Sequence, residues 1–242
     1  MRNKGLDVIK WIAIIAMVID HLRFIDFIST LGYNNTLTII GRFAFPMFCF
    51  VMAVNFKRII ENNNNDAIKS YLINLSIFSF ISEIPYRLLE KTPHVLNVMP
   101  TLFLGMLLMV ILVKNYKHKW LVIVAFFSFA VPFSPLFMYG LLGILLPICC
   151  YVALVYKNKW LYLLPVVIAP LCNLQYFVHT ISTVGFILPV ALIGFSAMLS
   201  IVFSFLILYK EIKFKIWKVG AWGYAFYPVH LLTFHIINKL MQ

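Results

Sequence analysis

The chain has 242 residues, 63% of them hydrophobic and 12% charged, with a mean hydropathy of +0.95. A soluble domain of this size cannot hide that much apolar surface, so the composition excludes a water-soluble enzyme or carrier. It predicts an all-α, polytopic integral membrane protein. The formal net charge of +12 would point to nucleic acid in a soluble chain. Here the cations sit between apolar runs, where they set topology and meet anionic lipid headgroups, so the expected partner is the bilayer and not nucleic acid.

The opening MRNKGLDVIK has the positive start of a signal peptide. No small-residue cleavage site follows, and Asp20-His21 interrupts the apolar run, so a retained first helix is expected. Apolar runs of spanning length fall at roughly 8–28, 38–56, 70–88, 97–113, 120–134, 136–156, 160–178, 183–209 and 221–238. That gives about nine transmembrane helices in one membrane-embedded unit over 1–242. Eight or ten are the alternatives, because the fifth run is short and the seventh holds Pro165 and Pro170. With a cytoplasmic N-terminus, fourteen of the twenty Lys and Arg fall on inside segments. Four (Arg23, Arg87, Lys91 and Lys239) fall outside, and Lys10 and Arg42 lie within spans. This asymmetry favours nine spans with that orientation. The Asn62–Asn65 run then reads as a plain cytoplasmic turn, and Trp120, Trp160 and Trp222 as interface anchors. Cys49, Cys149, Cys150 and Cys172 lie in apolar runs with no metal-binding or disulfide spacing, so buried small hydrophobes and no metal are expected.

Polar residues inside spans are costly and tend to mark function. The first span reads DVIKWIAIIAMVIDHLR from Asp7. Lys10 and His21 are eleven positions apart, so a helix brings them to one face with about 16 Å of axis between them. The second span opens GRFAFPMFCF with Arg42 near its outer end, and the third ends SEIPYRLLE with Glu83. The fourth opens NVMPTLFLG with Asn97 and Thr101, and the ninth carries Tyr227, Pro228 and His230. Each has a structural explanation beside the functional one. Arg42 and Glu83 form an ion pair between helices, Tyr227 is an interfacial anchor, Thr101 bonds its own helix, and His21 and His230 are interhelical glue. His94, His118 and His179 read as solvated loop residues.

The blocks KWIAIIAMVIDH, GRFAFPMFCF, ISEIPYR, NVMPTLFLG, YGLLG and FYPVHLL, in that order, resemble the TraX family. That family is named for a conjugal-transfer protein that N-acetylates pilin. Lys10-x10-His21 also resembles the Arg/Lys-x10-His signature of acyltransferase type 3 membrane proteins. Arg87 departs from the pattern, standing where an acidic residue is expected. The resemblance implies an acetyl-CoA-dependent acetyltransferase of the bacterial inner membrane, with the donor cytosolic and the acceptor at the outer face. The acceptor is a pilin-like peptide, another protein N-terminus, an envelope glycan or a small molecule.

On that reading His21 is the base or acyl carrier, and Asp20 orients it or serves Arg42. Arg42, Asn97 or Tyr227 stabilises the oxyanion, and Glu83 and His230 complete the catalytic candidates. Lys10 meets the phosphates of acetyl-CoA as a point charge, with Asn97 and Thr101 as further donor-binding candidates and no second cation expected beside Lys10. Two other classes stay open. A proton-coupled transporter would use Asp20, His21, Glu83 and His230 as a relay, although no internal repeat is visible. A non-enzymatic membrane partner would use the polar groups only to hold helices together.

Overall fold

The computed structural model describes residues 3–90, 94–115, 117–156, 158–184 and 188–241. Arg2, Lys91 and Lys157 of the loop-charge pattern, and the side chain of His179, lie outside the described residues. The described chain is all-α. Twelve helices run α1 Lys4–His21, α2 Asp26–Thr30, α3 Asn34–Gly41, α4 Ala44–Glu61, α5 Asn65–Leu89, α6 Val98–Val113, α7 Lys119–Ala130, α8 Gly140–Tyr156, α9 Lys159–Leu171, α10 Leu174–Val184, α11 Leu188–Tyr209 and α12 Trp222–Leu240.

Asparagine starts four of them. The side chains of Asn3, Asn64, Asn97 and Asn158 accept from the backbone N–H of Leu6, Ala67, Met99 and Trp160. Each thereby supplies a partner for an N–H that the first helical turn leaves without one. The Asn62–Asn65 turn therefore has more structure than a plain linker. Asn63 takes a left-handed backbone (φ 52°), Asn64 caps α5, and Asn65 accepts from Lys114 Nζ at 2.8 Å.

Three helical stretches are long and apolar enough to cross a membrane: Asn34–Glu61, Asn65–Leu89 and Val190–Tyr209. α6, α7, α8 and α9 are apolar but shorter. α4 is the centre of the bundle, with Met47, Phe50, Met52 and Phe56 almost wholly buried and α1 and α8 packed on it. α5 instead turns a continuous face outward, through Ile73, Ile77, Phe80, Ile81, Ile84 and Leu88. An all-apolar exposed stripe at helical spacing is what a lipid-facing helix presents. His94 and His118 are exposed, all four cysteines are buried, and Trp120 and Trp160 are exposed beside helix starts.

Several expected boundaries move, each for a local reason. The first span stops at His21 and not at 28, giving way to a 3-10 turn at Leu22–Phe24. The backbone groups of that turn are taken up by Asn238 of α12, which donates to Phe24 O (2.7 Å) and accepts from Asp26 N (3.0 Å). The second span breaks between α3 and α4 at Arg42. Pro46 has no N–H for the Arg42 carbonyl, and its ring crowds that position. The seventh span is the broken one, since α9 ends at Leu171 just after Pro170 and α10 begins at Leu174. Gly105 allows α6 and α8 to approach closely, because a Cβ there would lie 2.9 Å from Pro147.

Candidate functional site

One face of each of four helices lines a pair of abutting cavities. On α1 the stripe is Lys10, Ile14, Met17, Asp20 and His21, and on α4 it runs from Arg58 through Asn55, Val51 and Phe48 to Phe45. α12 contributes Gly223, Tyr224 and Tyr227, while α5 contributes Ser70, Tyr71 and Asn74 at one end and Tyr86 and Glu90 at the other. The larger cavity, about 510 Å³, holds the Lys10 end, and the smaller, about 250 Å³, holds the His21 end. Met17, Phe48, Val98 and Tyr227 line both, so they form the wall where the two meet.

His21 is joined to His230 across α1 and α12, Nδ1 to Nε2, at 2.7 Å. His230 Nδ1 lies 2.9 Å from the Phe226 carbonyl oxygen, four residues back in its own helix. A carbonyl only accepts, so His230 Nδ1 carries the proton. In the neutral pair His230 Nε2 then holds a lone pair and must accept from His21 Nδ1–H. That leaves the lone pair of His21 on Nε2, the far side of a ring that lines the smaller cavity. Phe226 stacks on His230 with ring centroids 5.3 Å apart, and Tyr227 sits 6.1 Å from His21. Tyr227 is buried at 2% exposure, which removes the interfacial-anchor explanation.

The smaller cavity is balanced in charge, with Asp20 and Glu90 set against Arg23 and Arg42. Asp20 does not reach His21. Its Oδ2 pairs with Arg23 at 3.5 Å, one turn along, and its Oδ1 is buried without a hydrogen-bond partner. Gly41 leaves room for that carboxyl, since a Cβ there would collide with it. Arg42 does not pair with Glu83 as expected. Its guanidinium donates to Asn173 Oδ1 (3.0 Å) and to the Tyr139 hydroxyl (3.3 Å). The helix break at 172–173 brings Asn173 to this position. Tyr139 has a left-handed backbone (φ 66°) and stacks on Phe45 with centroids 4.1 Å apart. A non-glycine residue held there marks strain that the surrounding structure supports.

Glu83, Asn97 and Thr101 fall outside the lining of both cavities. Glu83 pairs with Arg87 of the next turn at 2.6 Å, so the departure at Arg87 supplies the ion pair. Its other oxygen accepts from Asn97 N (3.0 Å) and Nδ2 (2.7 Å), while Asn97 also donates to Ser79 O and caps α6. The Asn97 amide is thus fully engaged, its Nδ2 joining α6 to α5 and its Oδ1 capping α6. Thr101 donates to Met138 O at 2.8 Å, across to the segment before α8 and not to its own helix.

At the far end, Lys10 Nζ donates to Val219 O (2.9 Å) and lies 3.9 Å from Asp7. Lys10 is also not the only cation there. Arg58, from the last turn of α4, and Lys218, from the segment before α12, line the same cavity. Sequence reasoning missed both as loop charges, and it missed Tyr139 and Asn173. The signals were the Tyr139-Gly140 pair in YGLLG and the polar Asn173 just past Pro170.

With this geometry in place the comparison with known families is decisive. A family model described as TraX protein matches residues 5–238. The chain belongs to the TraX family. No curated protein and no solved structure is significantly similar. This TraX-family chain is a helical membrane protein whose matched region contains every residue of the two cavities.

Proposed function

We propose that this chain is a membrane-embedded acetyltransferase that takes acetyl groups from cytosolic acetyl-CoA and passes them to an acceptor from the opposite face. The observation that carries the reading is the pair of abutting cavities, one cationic and one charge-balanced, with the His21–His230 pair beside their common wall. In a bacterial cytoplasmic membrane, nine spans and a cytosolic N-terminus put most of the cations inside, and Lys10 with them. The Lys10-x10-His21 spacing supports a relation to acyltransferase type 3 proteins. Along α1 it corresponds to about 16 Å, a distance the pantetheine arm of the donor can bridge.

In the mechanism we propose, the acceptor's amine or hydroxyl attacks the thioester carbonyl while His21 Nε2 removes its proton. The tetrahedral oxyanion is met by Arg42 or Tyr227. The C–S bond then breaks, the proton passes from His21 to the departing CoA thiolate, and neutral His21 is restored. His230 holds the Nδ1–H of His21 throughout. A pilin-like peptide or an envelope glycan fits the acceptor's side equally well by chemistry, since both offer N–H or O–H nucleophiles.

Membranes given labelled acetyl-CoA test this. Replacing His21 by Ala is expected to lower transfer about a thousandfold, the range for a lost general base. Undiminished transfer by His21→Ala overturns the catalytic role. Proton-coupled uptake into vesicles that needs no acetyl-CoA would replace the acetyltransferase with a transporter.

A further inference from the structure

The charges of the larger cavity all have one sign. Lys10, Arg58 and Lys218 come from three separate elements, and no carboxylate is among the residues lining the cavity. Arg58 alone is accounted for by the negative end of the α4 dipole, and Lys218 alone by interfacial lysine. Neither explains why both turn to the recess that Lys10 reaches from α1. Among the described residues neither side chain pairs with an acid. Their neighbour Lys57 does not line this cavity: it lies 3.7 Å from Glu61 and donates to Leu154 O in a second recess, which Arg58 also borders. Away from the three cations the wall turns to amides and hydroxyls (Asn55, Ser70, Asn74) and then to the apolar residues shared with the second cavity. The recess thus grades from charged through polar to apolar, which suits a ligand with several phosphates at one end and an uncharged arm at the other.

We propose that Arg58 and Lys218 join Lys10 in clasping the diphosphate and third phosphate of a nucleotide-anchored acyl donor, so that the donor is recognised as free acyl-CoA and not as an acyl group on a carrier protein. A carrier-bound pantetheine arm offers one phosphodiester, too little for Arg58 and Lys218 both to engage beside Lys10. This rests on the acetyltransferase reading and adds to it the residues that recognise the donor's phosphates. An anionic lipid headgroup shares the phosphate chemistry and is the other source to separate.

The test uses the full chain in nanodiscs of phosphatidylcholine, with and without phosphatidylglycerol, probed with CoA and with 4′-phosphopantetheine. Wild-type protein is expected to bind CoA at least tenfold more tightly than 4′-phosphopantetheine. Arg58→Gln and Lys218→Gln should each weaken CoA binding about tenfold, and the double variant about a hundredfold, as for lost charged hydrogen bonds. Arg58→Lys should recover most of the loss, and Lys57→Gln should behave as wild type. CoA binding by the double variant within twofold of wild type overturns the clasp. If wild type also still transfers acetyl groups, the acetyltransferase reading survives alone. Failure of wild type to bind CoA, with phosphatidylglycerol stabilising the protein through Arg58 and Lys218, makes the cluster a lipid-headgroup site and overturns the clasp. No CoA binding and no transfer in either lipid overturns both.

Discussion

The two cavities share four wall residues yet differ in how their charges are kept. In the larger, three cations converge without a lining carboxylate, so the recess attracts anions strongly. In the smaller, two carboxylates and two guanidiniums offset one another, and tyrosine, asparagine and glutamine fill the gaps. A cavity of the first kind selects by charge and tolerates variation in shape. The second kind, with Arg42 fixed by Tyr139 and Asn173, selects by the arrangement of donors and acceptors. Two different chemical environments therefore stand on either side of a single wall.

The largest expected effect comes from filling that wall. Met17→Trp should abolish acetyl transfer while leaving CoA binding intact; equal loss of both would mean that the two spaces work as one. His230→Phe removes the acceptor for His21 Nδ1–H and should lower transfer about a hundredfold at an unchanged KM for acetyl-CoA. His230→Gln, whose amide oxygen also accepts, should restore most of it, and equal rates for the Phe and Gln variants would separate His230 from His21. Raising salt from about 50 to about 500 mM should raise the KM for acetyl-CoA several-fold, since exposed cations are screened, and leave the KM for the acceptor nearly constant. Salt sensitivity of the acceptor alone would reverse the assignment of the cavities. Smallest is Tyr139→Phe, which takes one hydrogen-bond partner from Arg42 and should change the acceptor KM a few-fold, with the donor KM as internal control.

Much of this was legible in the sequence where the rule was local. The eleven-residue spacing of Lys10 and His21, the buried cysteines and the family blocks all follow from helix geometry or short motifs, whereas the asparagine caps passed as a plain turn and a site residue. What failed depended on which helices meet and how deeply. Arg42 and Glu83 looked like partners because both sit near span ends, but Pro46 breaks the helix at Arg42 and Arg87 already occupies Glu83. Asn97 and Thr101 looked like site residues because of their depth, yet they face α5 and the segment before α8. Arg58 and Lys218 were hidden among ordinary topology charges, and only the packing of α1 against α4 and α12 brings them to one recess.

The long-range side-chain hydrogen bonds of the first helix run to residues near the other end of the described chain. Asn3 donates to Leu208 O, Lys10 to Val219 O and Trp11 to Trp217 O; His21 meets His230, and Asn238 holds the turn after α1. A ribosome must therefore deliver some two hundred further residues before these bonds can close, although α3 and α4, on which α1 packs, follow it at once. Until then the His21 imidazole stands in the membrane without His230 and the Lys10 ammonium without the Val219 carbonyl, while Asp7 and Arg23, close by in sequence, already offset the charges of Lys10 and Asp20. A chain made only as far as α11 thus holds His21 without the ring that fixes its tautomer.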